Sequence, residues 1–128
     1  MPETKKTTAA RLRALEGQVH QFDVPGEMTG LLRRVRGNKS KRTANVFVKT
    51  GPLRLQVLAF DEGGELKDNV VDGPYTMQCL IGRVVVSVQG RDHRMSTGDL
   101  LVVDGAVAHD IAAQELSALL VTVAAREG

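Results

Sequence analysis

The sequence predicts an all-β sandwich or barrel preceded by a short N-terminal arm that is helical or irregular. Three observations predict it. From residue 45 onward the chain divides into short runs rich in Val, Leu and Ile: NVFVK, LRLQVLAF, LKDNVV, YTMQCLI, RVVVSVQ, HRMS, DLLVV, AHDIAA and LSALLVTVA. Turn-forming pieces such as KTGP, DEGGE, DGP, GRD and DGA separate them, as in small all-β domains. Side chains also alternate: Val84, Val86 and Val88 share one side of RVVVSVQ, and Val85, Ser87 and Gln89 share the other. In LRLQVLAF, Leu53, Leu55 and Val57 oppose Arg54 and Gln56, and two apolar layers closing on each other would bury such faces.

Residues 1–44 form the arm, and the barrel runs over residues 45–124. In TTAARLRALEGQV, Ala9, Leu12, Leu15 and Val19 fall at helical spacing, with Thr7 or Thr8 placed to cap the start. The next piece, FDVPGEMTGLLRRV, reads as broken by Pro25, Gly26 and Gly30. Then RRVRGNKSKR carries Arg33, Arg34, Arg36, Lys39, Lys41 and Arg42 without an acid. Such a cluster suits phosphates, but no aromatic residue interleaves to stack bases, so a solvated loop is the expected reading.

Composition bounds the rest. A chain of 128 residues suits one domain. Aromatic residues make up only 3% of it, so the core must be aliphatic. A net charge of +2 argues against a nucleic-acid binder. The single cysteine, Cys79, excludes an internal disulfide and a multi-thiolate zinc site. No run of roughly 18 to 20 apolar residues exists to span a bilayer, and the N-terminus lacks the apolar segment of a secretory signal. A cytoplasmic protein without membrane contact is the expectation. GxGxxG, P-loop, GxSxG and HExxH motifs are absent.

One stretch carries chemistry. In GDLLVVDGAVAHDI, residues 98–111, a turn, an apolar strand and a second turn lead to His109, one of three histidines. The other two, His20 and His93, read as surface residues. The stretch resembles the second motif of the cupins: glycine, five residues, a Pro-x-Gly turn, two residues and a histidine. Gly98 opens it, Asp104 and Ala106 replace the proline and the second glycine, and His109 stands at the last ligand position. The resemblance covers roughly residues 43–124 and implies a cupin-type jelly-roll β-barrel that pairs as a homodimer.

The first cupin motif is a histidine pair, an acid, six residues and a glycine. Counting back from Gly82 places the acid position at Tyr75, and Asn69, Val70 and Val71 stand where the histidines belong. The resemblance thus retains His109 alone of the usual three histidines and one glutamate. Asn69 would add one weak oxygen ligand, and a Cys79–His109 pair would still supply two ligands where a transition metal needs three or four. No metal and no cofactor are expected.

The candidate ligand-binding residues are Asn69, Tyr75, Met77, Cys79 and His109. By period-two counting, Tyr75, Met77 and Cys79 share one strand face. His109 and Tyr75 are the candidate catalytic pair, since imidazole titrates near neutrality. Metal-independent epimerases of the superfamily use a histidine, an aspartate and a tyrosine. Asp110, adjacent to His109, should point to the opposite face. An open pocket on which Tyr75, Asn69 and Arg54 converge would serve such chemistry. Two functions follow. One is a metal-free barrel that binds or senses a small molecule. The other is an enzyme, either a metal-independent isomerase using His109 and Tyr75 or a metal enzyme with a non-standard site.

Overall fold

The computed structural model describes residues 18–126. Among these described residues one helix, α1 (Val24–Val35), precedes nine strands. They are β1 (Arg42–Thr50), β2 (Leu53–Phe60), β3 (Glu65–Asn69), β4 (Tyr75–Ile81), β5 (Arg83–Val88), β6 (Arg91–Ser96), β7 (Leu100–Val103), β8 (His109–Ala113) and β9 (Ser117–Ala124). Each apolar run expected to be a strand is one. The strands form two antiparallel sheets, ordered β1-β2-β9-β4-β7 and β3-β8-β5-β6. The β5–β6 hairpin turns on Gln89 and Gly90, both at positive φ (52° and 76°). Two such central residues match the right-handed twist of the strands they join.

The inner faces of the sheets close on a core that includes Met77, Cys79, Val84, Val86, Ile111, Leu119 and Val121. A second core lies on the outside of the five-stranded sheet, where Leu31 and Val35 of α1 cover Phe47, Val57, Ala59 and Ala118. Phe22 stacks on Phe47 at its edge, with ring centroids 5.2 Å apart.

Helix α1 corrects the reading of residues 22–35 as broken. Asp23 caps it, its carboxylate accepting the Gly26 N–H at 3.2 Å. Pro25 sits in the first turn, where a missing N–H costs nothing because that donor has no partner within the helix. Burial of Leu31 and Val35 outweighs the propensity lost at Gly30. The helix expected around Ala9, Leu12 and Leu15 lies outside the described residues. Val19, its last apolar position, is exposed and not helical. The basic segment is divided between elements: Arg33 and Arg34 end α1, a turn organised by the Asn38 carboxamide follows, and Arg42 begins β1.

The helix also reverses the expected orientation of β2. Val57 and Leu55 pack outward beneath α1, and Leu58 and Phe60 face the barrel core. Arg54 and Gln56, on the same strand face as Leu58, therefore point inward. Alternation alone cannot say which face is inside when a helix offers the other face an apolar partner.

Gly30 lies in the helix interior, and a Cβ there would meet only the Arg34 guanidinium, at 3.8 Å. Gly30→Ala is expected to raise stability by about 0.5–1 kcal/mol through backbone entropy. Urea unfolding of the two proteins checks it; no gain, or a loss, would show that the helix needs glycine there.

Candidate functional site

The site is built where β8, β3 and β4 meet. His109 opens β8 and is 3% exposed. Its ring partners come from two other strands. Nδ1 lies 2.9 Å from the Tyr75 hydroxyl, and Nε2 lies 3.2 Å from Nδ2 of Asn69. The Tyr75 hydroxyl donates to the Val107 carbonyl at 2.8 Å. A phenol has one proton, so its oxygen is left to accept from His109. That assigns the imidazole as the neutral form with hydrogen on Nδ1, and Nε2 accepts from the Asn69 carboxamide. Each link of the chain Asn69–His109–Tyr75–Val107 thus joins a donor to an acceptor.

A bulge selects Asn69. Leu66 stands opposite Ile111 and Asn69 opposite His109, so three steps along β3 match two along β8. In a regular ladder Asp68 would face His109. Instead Asp68 takes a positive φ of 51°, and its N–H donates to the Asp110 carboxylate at 2.7 Å. Asp110, on the face opposite His109, holds the bulge and is not a partner of the imidazole.

Burial sets the protonation states. It pushes the His109 ring below the usual value of 6.5, against the opposing pull of the Val107 carbonyl and Asp110. It raises the Tyr75 phenol above its usual value. Burial likewise raises the Cys79 thiol, with Asp99 adding to it. Both members of the expected acid–base pair are therefore held neutral, and neither ring nitrogen of His109 is free to receive a ligand's proton.

The structure brings Asn69, His109 and Tyr75 together. Met77 and Cys79 lie on the same face of β4 but are fully buried between the sheets, and the Cys79 thiol is directed at the carbonyls of Ile81 and Gly82. Arg54 does not converge on the site. It points to a separate cleft and donates to the carbonyls of Gly51 and Leu53. His93 is half-buried on edge strand β6 opposite Val86, and it is not hydrogen-bonded to His109. His20 is exposed.

Asn69 is also the door of the site. It lines a cleft of about 320 Å³ together with Ala44, Gln56, Leu58, Phe60 and Leu66. The sequence signals for this cleft were weak, since Gln56 and Ala44 carry no motif. Only the inward turn of β2 reveals them.

Solved structures with the same architecture agree. A cupin superfamily protein from Desulfitobacterium hafniense DCB-2 superposes with a TM-score of 0.65 at 15% identity, over 74% of this chain and 87% of that one. This chain folds as a small cupin domain. An RmlC-like cupin from Desulfovibrio desulfuricans matches at 0.65 and 20% identity, covering 85% of this chain and 97% of its own. A salicylate 1,2-dioxygenase from Pseudoaminobacter salicylatoxidans matches at 0.67 and 17% identity, covering 82% of this chain and 35% of its own. No protein-family model and no curated protein matches the sequence. No helix among the described residues is long and apolar enough to cross a membrane.

The metal that the cupin likeness implies does not fit the residues present. Among the described residues no three His, Cys, Asp or Glu side chains gather to hold an ion. His109 offers one imidazole, and its two nitrogens are engaged by Tyr75 and Asn69. Borderline ions need three or four such donors.

Two outcomes are expected of this barrel. The unfolded chain protonates His109 near pH 6.5, and the buried ring resists that proton, so the unfolded state binds more protons in the window below 6.5. Stability should therefore rise with pH up to about 6.5 and fall on acidification. His109→Gln should lose less stability than the parent between about pH 7.5 and about pH 5, the shared carboxylates cancelling in the comparison. An equal loss would show that the ring is not desolvated. Tyr75→Phe leaves the Val107 carbonyl and His109 Nδ1 without their partner and should cost about 1–3 kcal/mol in urea unfolding. A change near zero would mean that water replaces the hydroxyl.

Proposed function

We propose that this cupin is a binding barrel for a small neutral molecule, seated in the cleft that Asn69 lines. The observation that carries the reading is Asn69 itself. Its Nδ2 is committed to His109, while Oδ1 makes no hydrogen bond among the described residues. An acceptor held in place by a buried histidine can be offered to a ligand hydroxyl or N–H at little entropic cost. Leu58, Phe60 and Leu66 supply an apolar wall, and Gln56 adds a second polar group. A cleft of about 320 Å³ with one or two placed polar groups suits a small alcohol or amide on an apolar body.

A second reading, isomerisation by His109 and Tyr75, draws support from their 2.9 Å contact. It requires Asn69 to swing away and release Nε2, and it works against the direction in which burial moves both groups.

Ligand-observed NMR with a panel of small aliphatic and aromatic alcohols and amides tests the binding reading. Ala44 lines the cleft, and its exposed position can take a larger side chain, so Ala44→Trp plugs it. Binding to the parent protein should vanish in Ala44→Trp and weaken about three- to tenfold in Asn69→Leu. Binders unaffected by Ala44→Trp, or no binder at all, would reject the proposal.

A further inference from the structure

Beyond the Asn69 cleft, we infer a second site, for a small organic anion, where Lys49 and Arg54 face each other across β1 and β2. The pairing depends on a bulge. Val46 stands opposite Gln56 but Val48 stands opposite Leu55, so β1 carries one extra residue around Phe47. In a regular ladder Val48 would oppose Arg54. The bulge sends Phe47 and Val48 outward to the core under α1, and it sets Lys49 directly opposite Arg54. Arg54 shares its strand face with Gln56 and Leu58, so both cations belong to the inner surface of the sheet.

Two like charges in direct cross-strand register destabilise a sheet unless something neutralises them. Among the described residues no acid lies within ion-pair distance of either; the ion pairs present are Lys67–Glu65 and Arg83–Glu115. Arg54 spends one nitrogen on the carbonyls of Gly51 and Leu53, which orients the guanidinium and leaves its other donors without protein partners among the described residues. The pair lines an open cleft of about 280 Å³ whose walls include Val46, Val70, Val71 and Val123. Among the described residues Asp72 is the one acid in the lining. Among the described residues two cations against one carboxylate leave a charge of +1 on an open, largely apolar cleft.

That balance selects the ligand class. A monoanion neutralises the chamber, and a carboxylate matches the planar fork of Arg54 with Lys49 beside it. The valines favour an apolar body, and about 280 Å³ holds roughly nine non-hydrogen atoms at the ~30 Å³ that a liquid water occupies. Gln56 lines both this chamber and the Asn69 cleft, so the two sites adjoin while their charges differ.

The test compares benzoate and hexanoate with benzamide and hexanamide, titrated into the full chain and followed by amide chemical shifts. The acids should shift Val70, Val71 and Val123 and bind about tenfold more tightly than the amides, the factor of one good charged contact. Lys49→Gln combined with Arg54→Gln should erase that preference while its spectrum stays folded, and each single variant should reduce it. Ala44→Trp should leave the anion preference intact, so loss of the neutral-ligand cleft and loss of this site are read separately. Equal binding of acid and amide, no binding of the acids, a preference that survives in the double variant, or shifts that map elsewhere would each overturn the proposal.

Discussion

A neutral imidazole can stay buried in a barrel of Val, Leu and Met only while both of its ring nitrogens have partners. An unpaired polar group in that environment costs as much as several good apolar contacts return. His109 meets the condition through Tyr75 on one side and Asn69 on the other. Much of the surrounding architecture can be traced to that requirement. The Val107 carbonyl takes the tyrosine proton and so leaves the phenol oxygen to accept. The bulge in β3, held by Asp110, brings a carboxamide instead of a carboxylate to the far nitrogen. A carboxylate there would have favoured the imidazolium. The carboxamide keeps the ring neutral and turns a position that resembles a metal-ligand site into a hydrogen-bonded post.

The scarcity of aromatic residues is resolved by building two cores rather than one. The inner core is closed mainly by aliphatic and sulfur-bearing side chains from both sheets, with Phe60 and Tyr75 among the large residues. The outer core uses Phe47 and the apolar stripe of α1 to cover the back of β1, β2 and β9. The second half of β2 is consequently apolar on both faces, and its first half is polar toward the inside. This leaves an incompletely filled trough along the inner side of β1 and β2. Both clefts lie along it, with Gln56 between them.

The two clefts differ in what they offer. One presents a fixed carboxamide against Leu58, Phe60 and Leu66, and the other presents two cations against valines. Each owes its polar character to a strand that gains one residue relative to its partner. A bulge exchanges which neighbour faces inward, and in both places the exchange brings a hydrogen-bonding or charged side chain to the interior. The fold likeness to cupin structures accounts for the barrel. The ligand chemistry proposed for it rests on this chain's own residues.

Much of this was legible in the sequence. The nine strands follow from apolar runs and turn residues, because a β-strand writes its period directly into side-chain type. Motif positions point to His109, Tyr75 and Asn69 as candidates, while their mutual hydrogen bonds are visible only in the structure. Helix α1 could not, since Pro25 and Gly26 are breakers in a helix interior and harmless in its first turn. Its absence from the expectation also misplaced β2, whose apolar face was assigned to the barrel and belongs under the helix. By itself, then, the sequence determined which segments are strands and that one histidine stands at the end of a turn. Only the tertiary structure decided which face of β2 looks inward, that Asn69 and not Asp68 meets His109, and that Lys49 and not Val48 meets Arg54. Those choices depend on register between strands far apart in the chain, and one inserted residue changes them without altering any local pattern.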